Sequence, residues 1–214
     1  MAENSRANSL ATLINTTLPL VPGIVQQLQR GIEVADIGCG QGHAINLMAQ
    51  AFPNSRFIGY DLSEAAIAVG VAEAKQIGLS NARFEVRDVT ALDADRQFDF
   101  ITAFDAIHDQ AQPTIVLQGI ATALRPGGTF LMVDIAASSR LEENLDLMFG
   151  PWMYTISCMH CMTVSLALDG EGLGAMWGEQ KAQQMLANAG FTNVEVKRVA
   201  SDLFNNYYVA RKDH

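Results

Sequence analysis

Between Glu33 and His43 a short apolar strand pattern, EVADI, runs straight into alternating glycines, Asp36-Ile-Gly38-Cys-Gly40-Gln-Gly42. A helical repeat follows at once, with Ile45, Met48, Ala49 and Phe52 at i, i+3, i+4 and i+7. Glycines let the backbone turn tightly and approach a ligand closely. The helix start adds free N–H groups and a partial positive charge. The spacing narrows the ligand. A dinucleotide fingerprint wants glycines at x, x+2 and x+5, but the residue five beyond Gly38 is His43. An acid two positions before the first glycine suits a cationic group such as an amine and does not suit a pyrophosphate. An NAD-dependent oxidoreductase is therefore disfavoured.

The rest of the chain repeats this strand-then-helix alternation. Arg56–Tyr60 reads as a second strand, and Ser63 as the N-cap of a helix running to about Gly78. Ala82–Arg87 and Phe98–Phe104 read as strands three and four. A helix from Pro113 to about Leu124, with proline near its start, leads to a fifth strand at Thr129–Ile135. Ala182, Met185, Leu186 and Ala189 lie at helical spacing, and Gly190 stops that helix. Val194–Val199 and Tyr207–Ala210 finish as strands joined through Ser201–Asn206. The stretch from Ala136 to Gly178 is too long to be a structureless connection, so helical insertions are expected there. The pattern predicts an α/β, Rossmann-like, doubly wound sheet covered on both faces. An amino-terminal helical segment, residues 1–32, precedes this domain, residues 33–214.

Ligands of such sheets bind beyond the carboxyl ends of the strands, and acids stand there. Asp61 ends the second strand, where a carboxylate can accept from both hydroxyls of a ribose; its plainer role is to cap the turn before Ser63. Asp88 follows the third strand, ahead of Val89, and can accept from an exocyclic adenine amine. Phe104-Asp105 closes the fourth strand, and Leu124-Arg-Pro-Gly-Gly128 is a turn feeding the fifth.

Taken together, these motifs resemble the class I S-adenosylmethionine-dependent methyltransferases, over about Glu33 to Ala210. Asp36 to Gly42 looks like their first motif, Asp61 their ribose-binding acid and Asp88 their adenine-contacting acid. The resemblance implies a seven-stranded sheet whose last strand is antiparallel. It also implies S-adenosyl-L-methionine as cofactor, held by Asp36, Gly38, Gly40 and Gly42, by Asp61 and Leu62, by Asp88 and Val89, and by Phe104. A closer likeness lies in Leu-Pro-Leu-Val-Pro-Gly before the first strand, in Asp105-Ala-Ile-His-Asp109, and in Met159-His-Cys-Met-Thr-Val-Ser-Leu-Ala167. These look like a subgroup in which a winged-helix domain precedes the methyltransferase domain. No room for that domain exists ahead of Glu33, so the chain is expected to be a natural short form or a carboxyl-terminal fragment. The preceding domain serves dimerisation in that subgroup, which makes a homodimer a candidate state.

Methyl transfer is an in-line displacement, and a protein contributes chiefly by positioning the two reactants. A general base is needed only where the acceptor must lose a proton. His108, following Asp105, and His160, in the insertion, are the candidate catalytic residues; packing or capping is the plainer role of each. Met148, Phe149, Trp152, Met153, Tyr154, Met159, Met162, Met176 and Trp177 give the insertion the makings of a lid. Its inner face could wall a pocket for a small apolar or aromatic acceptor. The competing reading is a non-catalytic S-adenosylmethionine-binding module whose insertion makes subunit contacts.

Composition removes other classes. Across 214 residues, 49% hydrophobic and 17% charged, a sizeable core is within reach and wholesale disorder is excluded. A net charge of −9, with no three adjacent Lys or Arg, disfavours a nucleic-acid partner. The uncharged stretches Ala7–Gln29 and Leu147–Leu168 are too polar and proline-broken to cross a membrane. The start, MAENSRANSL, is no signal peptide, so the cytoplasm is expected. Cys39, Cys158 and Cys161 are an odd set, unlike a disulfide framework. Cys158-Met-His-Cys161 lacks the second pair of a four-ligand zinc site, so the cysteines are expected to be buried and free, and no metal is assigned.

Overall fold

The computed structural model describes residues 12–92 and 97–213. The expected amino-terminal segment begins, within them, as a wide helical turn at Leu13–Thr17, a 3-10 turn at Leu18–Leu20 and helix α1, Ile24–Arg30. The remainder of that segment, residues 1–11, lies outside the described residues. Strand β1 (Glu33–Ile37), helix α2 (His43–Ala51), strand β2 (Arg56–Asp61), helix α3 (Glu64–Gln76) and strand β3 (Ala82–Val86) follow in turn. Then come β4 (Phe98–Phe104), α4 (Pro113–Ala123) and β5 (Leu124–Ile135). The insertion carries two short helices, α5 (Gly150–Ile156) and α6 (Met162–Leu166), with a wide turn at Ser157–Cys161 between them. Helix α7 (Glu179–Asn188) and strands β6 (Asn193–Val199) and β7 (Asp202–Arg211) complete the chain.

The strands form one sheet in the order β3-β2-β1-β4-β5-β7-β6, parallel except that β7 pairs antiparallel with both β5 and β6. This is the seven-stranded, doubly wound arrangement the resemblance implies. Period-two alternation divides the core between its faces. Ala35 and Ile37 of β1, with Phe130 and Met132 of β5, pack with α4 and α7. Val34, Phe100, Leu131 and Val133 pack on the other face with α1, α2 and the amino-terminal turns. The winding reverses at β1, which pairs with β2 on one side and β4 on the other, leaving a crevice at their carboxyl ends.

Local chemistry sets the element ends. Ser63 caps α3, its hydroxyl accepting from the Ala66 N–H at 3.2 Å. Gly78, at φ +73°, lies just past the end of that helix, and the Leu79 N–H returns to the Ala74 carbonyl. Two boundaries differ from the pattern. Leu124-Arg-Pro-Gly-Gly128 is no free turn: Leu124 already pairs with Phe98, and the ladder resumes at Thr129 after a register shift. The final hairpin turns at Ala200-Ser201, because Val199 pairs with Asp202. Asn205 and Asn206 lie inside β7, opposite Ile135 and Asp134, where pairing with β5 overrides their turn preference.

The cysteines also depart from expectation. All are free, but only Cys161 is buried; Cys39 is half-buried beneath the glycine turn and Cys158 is exposed.

Candidate active site

The glycine turn divides its work between packing and ligand approach. Gly38, Gly40 and Gly42 all have positive φ, at +67°, +52° and +69°. A Cβ on Gly38 would meet the Ala106 Cβ at 2.6 Å, and one on Gly42 would enter the Phe84 ring. A Cβ on Gly40 would meet nothing within 4 Å. Gly38 and Gly42 thus let the turn sit down on its neighbours, while Gly40 leaves an open cradle where a ligand can meet backbone.

Asp61 ties this turn to the end of β2. Its Oδ2 accepts the Gly40 N–H at 2.8 Å and its Oδ1 accepts the Ser63 N–H at 2.8 Å. The carboxylate therefore stands at the rim of the cradle, already oriented, and Leu62 beside it is 54% exposed, an apolar face next to a polar one. Asp88 caps the turn Val89–Ala91, its Oδ1 accepting from the Thr90 N–H and hydroxyl. Val89 behind it is buried. Asp36 is buried, with Thr102 donating to its Oδ1 at 2.7 Å. Burial pushes its carboxyl up to about 7, against the Thr102 hydrogen bond and with help from the charge of Asp61. The strand pairings Ile37↔Tyr60, Asp61↔Val86 and Asp36↔Thr102 bring these groups to one edge of the sheet. An open cradle, an oriented carboxylate, an apolar face and a buried acid suit an adenosine bearing an ammonium group.

A cavity of about 460 Å³ adjoins this edge. The first turn of α2 (His43, Ala44, Leu47), the ends of β4 and β5 (Phe104, Asp105, Val133), Asn205 and Tyr207 of β7, and the amino-terminal turns line it. Three titratable groups there, His43, Asp105 and Tyr207, carry no site role in the sequence pattern, and Tyr207 is taken up by Asp202, to which its hydroxyl donates at 2.5 Å. His43 is 39% exposed, with Nδ1 3.7 Å from Glu73 Oε2. Asp105 adopts φ +49°, one of two non-glycine residues with positive φ among those described. It opens onto the cavity, yet the bulk of protein around its carboxyl, reinforced by the charge of Asp134, pushes it up to about 6. Asn205 Oδ1 is buried without a hydrogen-bond partner among the described residues.

Neither candidate histidine lines this cavity. His108 is buried, its Nδ1 2.7 Å from Asp134 Oδ1 and its Nε2 3.4 Å from Asp109 Oδ1. Burial pulls its pKa down, but the Asp134 hydrogen bond and the neighbouring acids outweigh this and raise it. His160 is exposed on the turn whose buried members are Ser157 and Cys161, and it is not brought to His108. The insertion does not wall the cavity either. Met176 and Trp177 are buried in the protein, Trp177 within the core beneath α7, whereas Met148, Trp152 and Met159 face solvent. The insertion docks on the segment after β4, where Ser165 Oγ donates to the Gln110 carbonyl at 2.9 Å and the Glu171 N–H to that of Ala111 at 2.8 Å. No helix among the described residues is long and apolar enough to cross a membrane.

Comparison with known proteins agrees with this geometry. A ubiquinone biosynthesis O-methyltransferase of Stutzerimonas stutzeri is 32% identical over 99 residues, 46% of this chain and 42% of that protein. The chain spans about half the length, or less, of the curated relatives it matches. A Nostoc punctiforme protein provisionally named an O-methyltransferase superposes with TM-score 0.72 at 20% identity, over 96% of this chain and 56% of that one. Human N-acetylserotonin methyltransferase, solved with S-adenosylmethionine, gives TM-score 0.65 at 17% identity, over 99% of this chain and 57% of that one. A model of the methyltransferase domain matches residues 28–190. With the glycine turn, the strand-end acids and the sheet order all in place, the chain belongs to that family, the class I S-adenosylmethionine-dependent methyltransferases.

Proposed function

We propose that this chain transfers the methyl group of S-adenosylmethionine to a small, largely apolar acceptor held in the cavity beside the glycine turn. The observation that carries this reading is the cavity itself, open and joined to the cradle through α2 and the end of β4. A volume of about 460 Å³ is in the range of small-molecule sites. A filled site would have favoured a binding module. Leu13, Ala44, Leu47, Phe104 and Val133 suit an apolar or aromatic body, and Asp105 suits a hydroxyl or amine on it. Bound in the cradle, S-adenosylmethionine supplies an already activated methyl group. Asp61 and the open face at Gly40 hold the adenosine side, Asp36 favours the ammonium, and Asp105 takes the proton that the acceptor loses as the new bond forms.

The test is calorimetric titration with S-adenosylmethionine and S-adenosylhomocysteine, on the wild type and on Asp61→Ala. Both ligands are expected to bind the wild type. Loss of hydrogen bonds to a charged acceptor, about 1.5–3 kcal/mol, should weaken the variant roughly 10- to 100-fold. Unchanged affinity in a folded variant would remove Asp61 from the site. Release of S-adenosylhomocysteine across a panel of small phenols, amines and thiols then identifies the acceptor; turnover with none of them favours the binding module.

Asp36 adds a pH dependence. With its carboxyl near 7 in the free protein, an ammonium ligand must expel a proton below that pH and need not above it. Affinity for S-adenosylmethionine is expected to fall as pH drops through about 7, by up to tenfold per unit, and to level off above it. Stability of the free protein runs the other way. The folded state holds a proton that the unfolded chain has given up, so this group's contribution decreases as pH rises from about 4 to 7. Asp36→Asn should therefore raise the melting temperature at pH 8 while weakening the ligand; parallel loss of both would contradict the assignment.

A further inference from the structure

His108 is a buried titratable group that the proposed reaction leaves unused. Its Nδ1 faces Asp134 Oδ1, which also accepts the Ile135 N–H at 2.8 Å. That acceptor holds the ring proton on Nδ1 and leaves the Nε2 lone pair pointing away from it. On that side stand Asp109 and the thiol of Cys161, and one ligand atom from each of the three residues lies within 4.8 Å of the others. Asp109 Oδ1, 3.4 Å from Nε2, is buried and meets no hydrogen-bond donor at normal geometry among the described residues, although the Cys161 thiol stands close enough to interact with the same carboxylate. An orphaned acceptor in such a place calls for an occupant.

We propose that His108 Nε2, Asp109 and Cys161 Sγ form a binding site for a divalent cation of the zinc type. Imidazole, thiolate and carboxylate are the donors zinc takes, and three protein ligands leave a fourth tetrahedral position for water. Metal–ligand bonds of about 2.0–2.3 Å place tetrahedral donors about 3.3–3.8 Å apart. The present set, within 4.8 Å, stands about 1 Å wider than that and must draw in on binding. Asp134 is the outer carboxylate that fixes the ring of a metal-bound histidine. The ligands come from two places, the loop after β4 and the wide turn between α5 and α6. The cation thus pins the insertion where Ser165 and Glu171 already dock it. Cys158, exposed on the same turn, takes no part.

The test uses the full chain, reduced, stripped with a chelator and titrated with cobalt(II) under absorbance. One equivalent per chain, a thiolate-to-cobalt charge-transfer band and displacement by zinc are expected. Cys158→Ser should keep the band and Cys161→Ser should lose it. Asp134→Asn should keep it while weakening affinity about 10- to 100-fold. Since Cys161 is buried, circular dichroism checks its variant, and the more exposed Asp109→Asn provides a second loss of tight binding. Absence of cobalt binding to the wild type would overturn the site and leave an imidazolium held between two carboxylates. A band that survives Cys161→Ser, or disappears in Cys158→Ser, would equally overturn it.

Discussion

Asp105→Asn is expected to lower the rate of methyl transfer by about 10²–10⁴-fold, the usual contribution of a positioned base, with affinity for S-adenosylmethionine little changed. The substitution is unusually clean at this position. The left-handed backbone at φ +49° is one that Asn tolerates as well as Asp. The Asp105 N–H donates to the Val133 carbonyl at 2.9 Å whatever the side chain. Shape and backbone therefore survive, and only the carboxylate facing the cavity, proposed above as the base, is lost. The measurement is kcat on the acceptor found by screening, beside a calorimetric affinity for the cofactor. A fall in kcat with unchanged cofactor binding supports the role. A variant that turns over within about tenfold of the wild type lacks the loss expected of a base, and it removes Asp105 from the chemistry.

Gly42→Ala is expected to cost stability rather than chemistry. A left-handed alanine costs roughly 1–2 kcal/mol, and forcing its Cβ against the Phe84 ring adds about 1–3 kcal/mol of overpacking. The sum, roughly 2–5 kcal/mol, corresponds to a fall of roughly 4–20 °C in melting temperature for a chain of this size. Gly40→Ala is the counterpart. With open space before its Cβ it should show only the backbone strain, and its main loss should be cofactor affinity, since the methyl occupies the cradle. If both variants melted alike and bound alike, the division of labour among the glycines would be wrong.

These glycines also mark how far the sequence could be read. Their alternation after a strand located the turn, with Asp36 marked as the acid two positions before the first glycine and Asp61 and Asp88 as acids at strand ends. Which glycine packs and which faces a ligand depends on Phe84 and Ala106, far away in the chain, and no spacing reveals it. The cavity was out of reach for the same reason, being assembled from separate stretches of chain. His43 stood out only as the residue that breaks a dinucleotide spacing. Asp134 lay hidden in the apolar run TFLMVDI; the parallel pairing of Phe104 with Val133 is what carries it to His108. A histidine between Met159 and Cys161 reads as buried, but the wide turn there points Cys161 inward and leaves His160 in solvent. Asn205-Asn206 has turn chemistry, yet pairing with Ile135 and Asp134 of β5 holds it inside β7 and moves the turn to Ala200-Ser201.

The position of β7 has a consequence for how the chain reaches this state. It follows every other strand in sequence, yet it is clamped between β5 and β6, bonded on both edges. During synthesis the earlier strands emerge first, but β6 has no place in the sheet until residues 202–211 arrive. The exposed edge of β5 must wait unpaired, a template for mispairing with other chains. A nascent chain halted at Val199 should thus stay sensitive to protease and prone to association, and resistance should appear in a single step once β7 has cleared the ribosome.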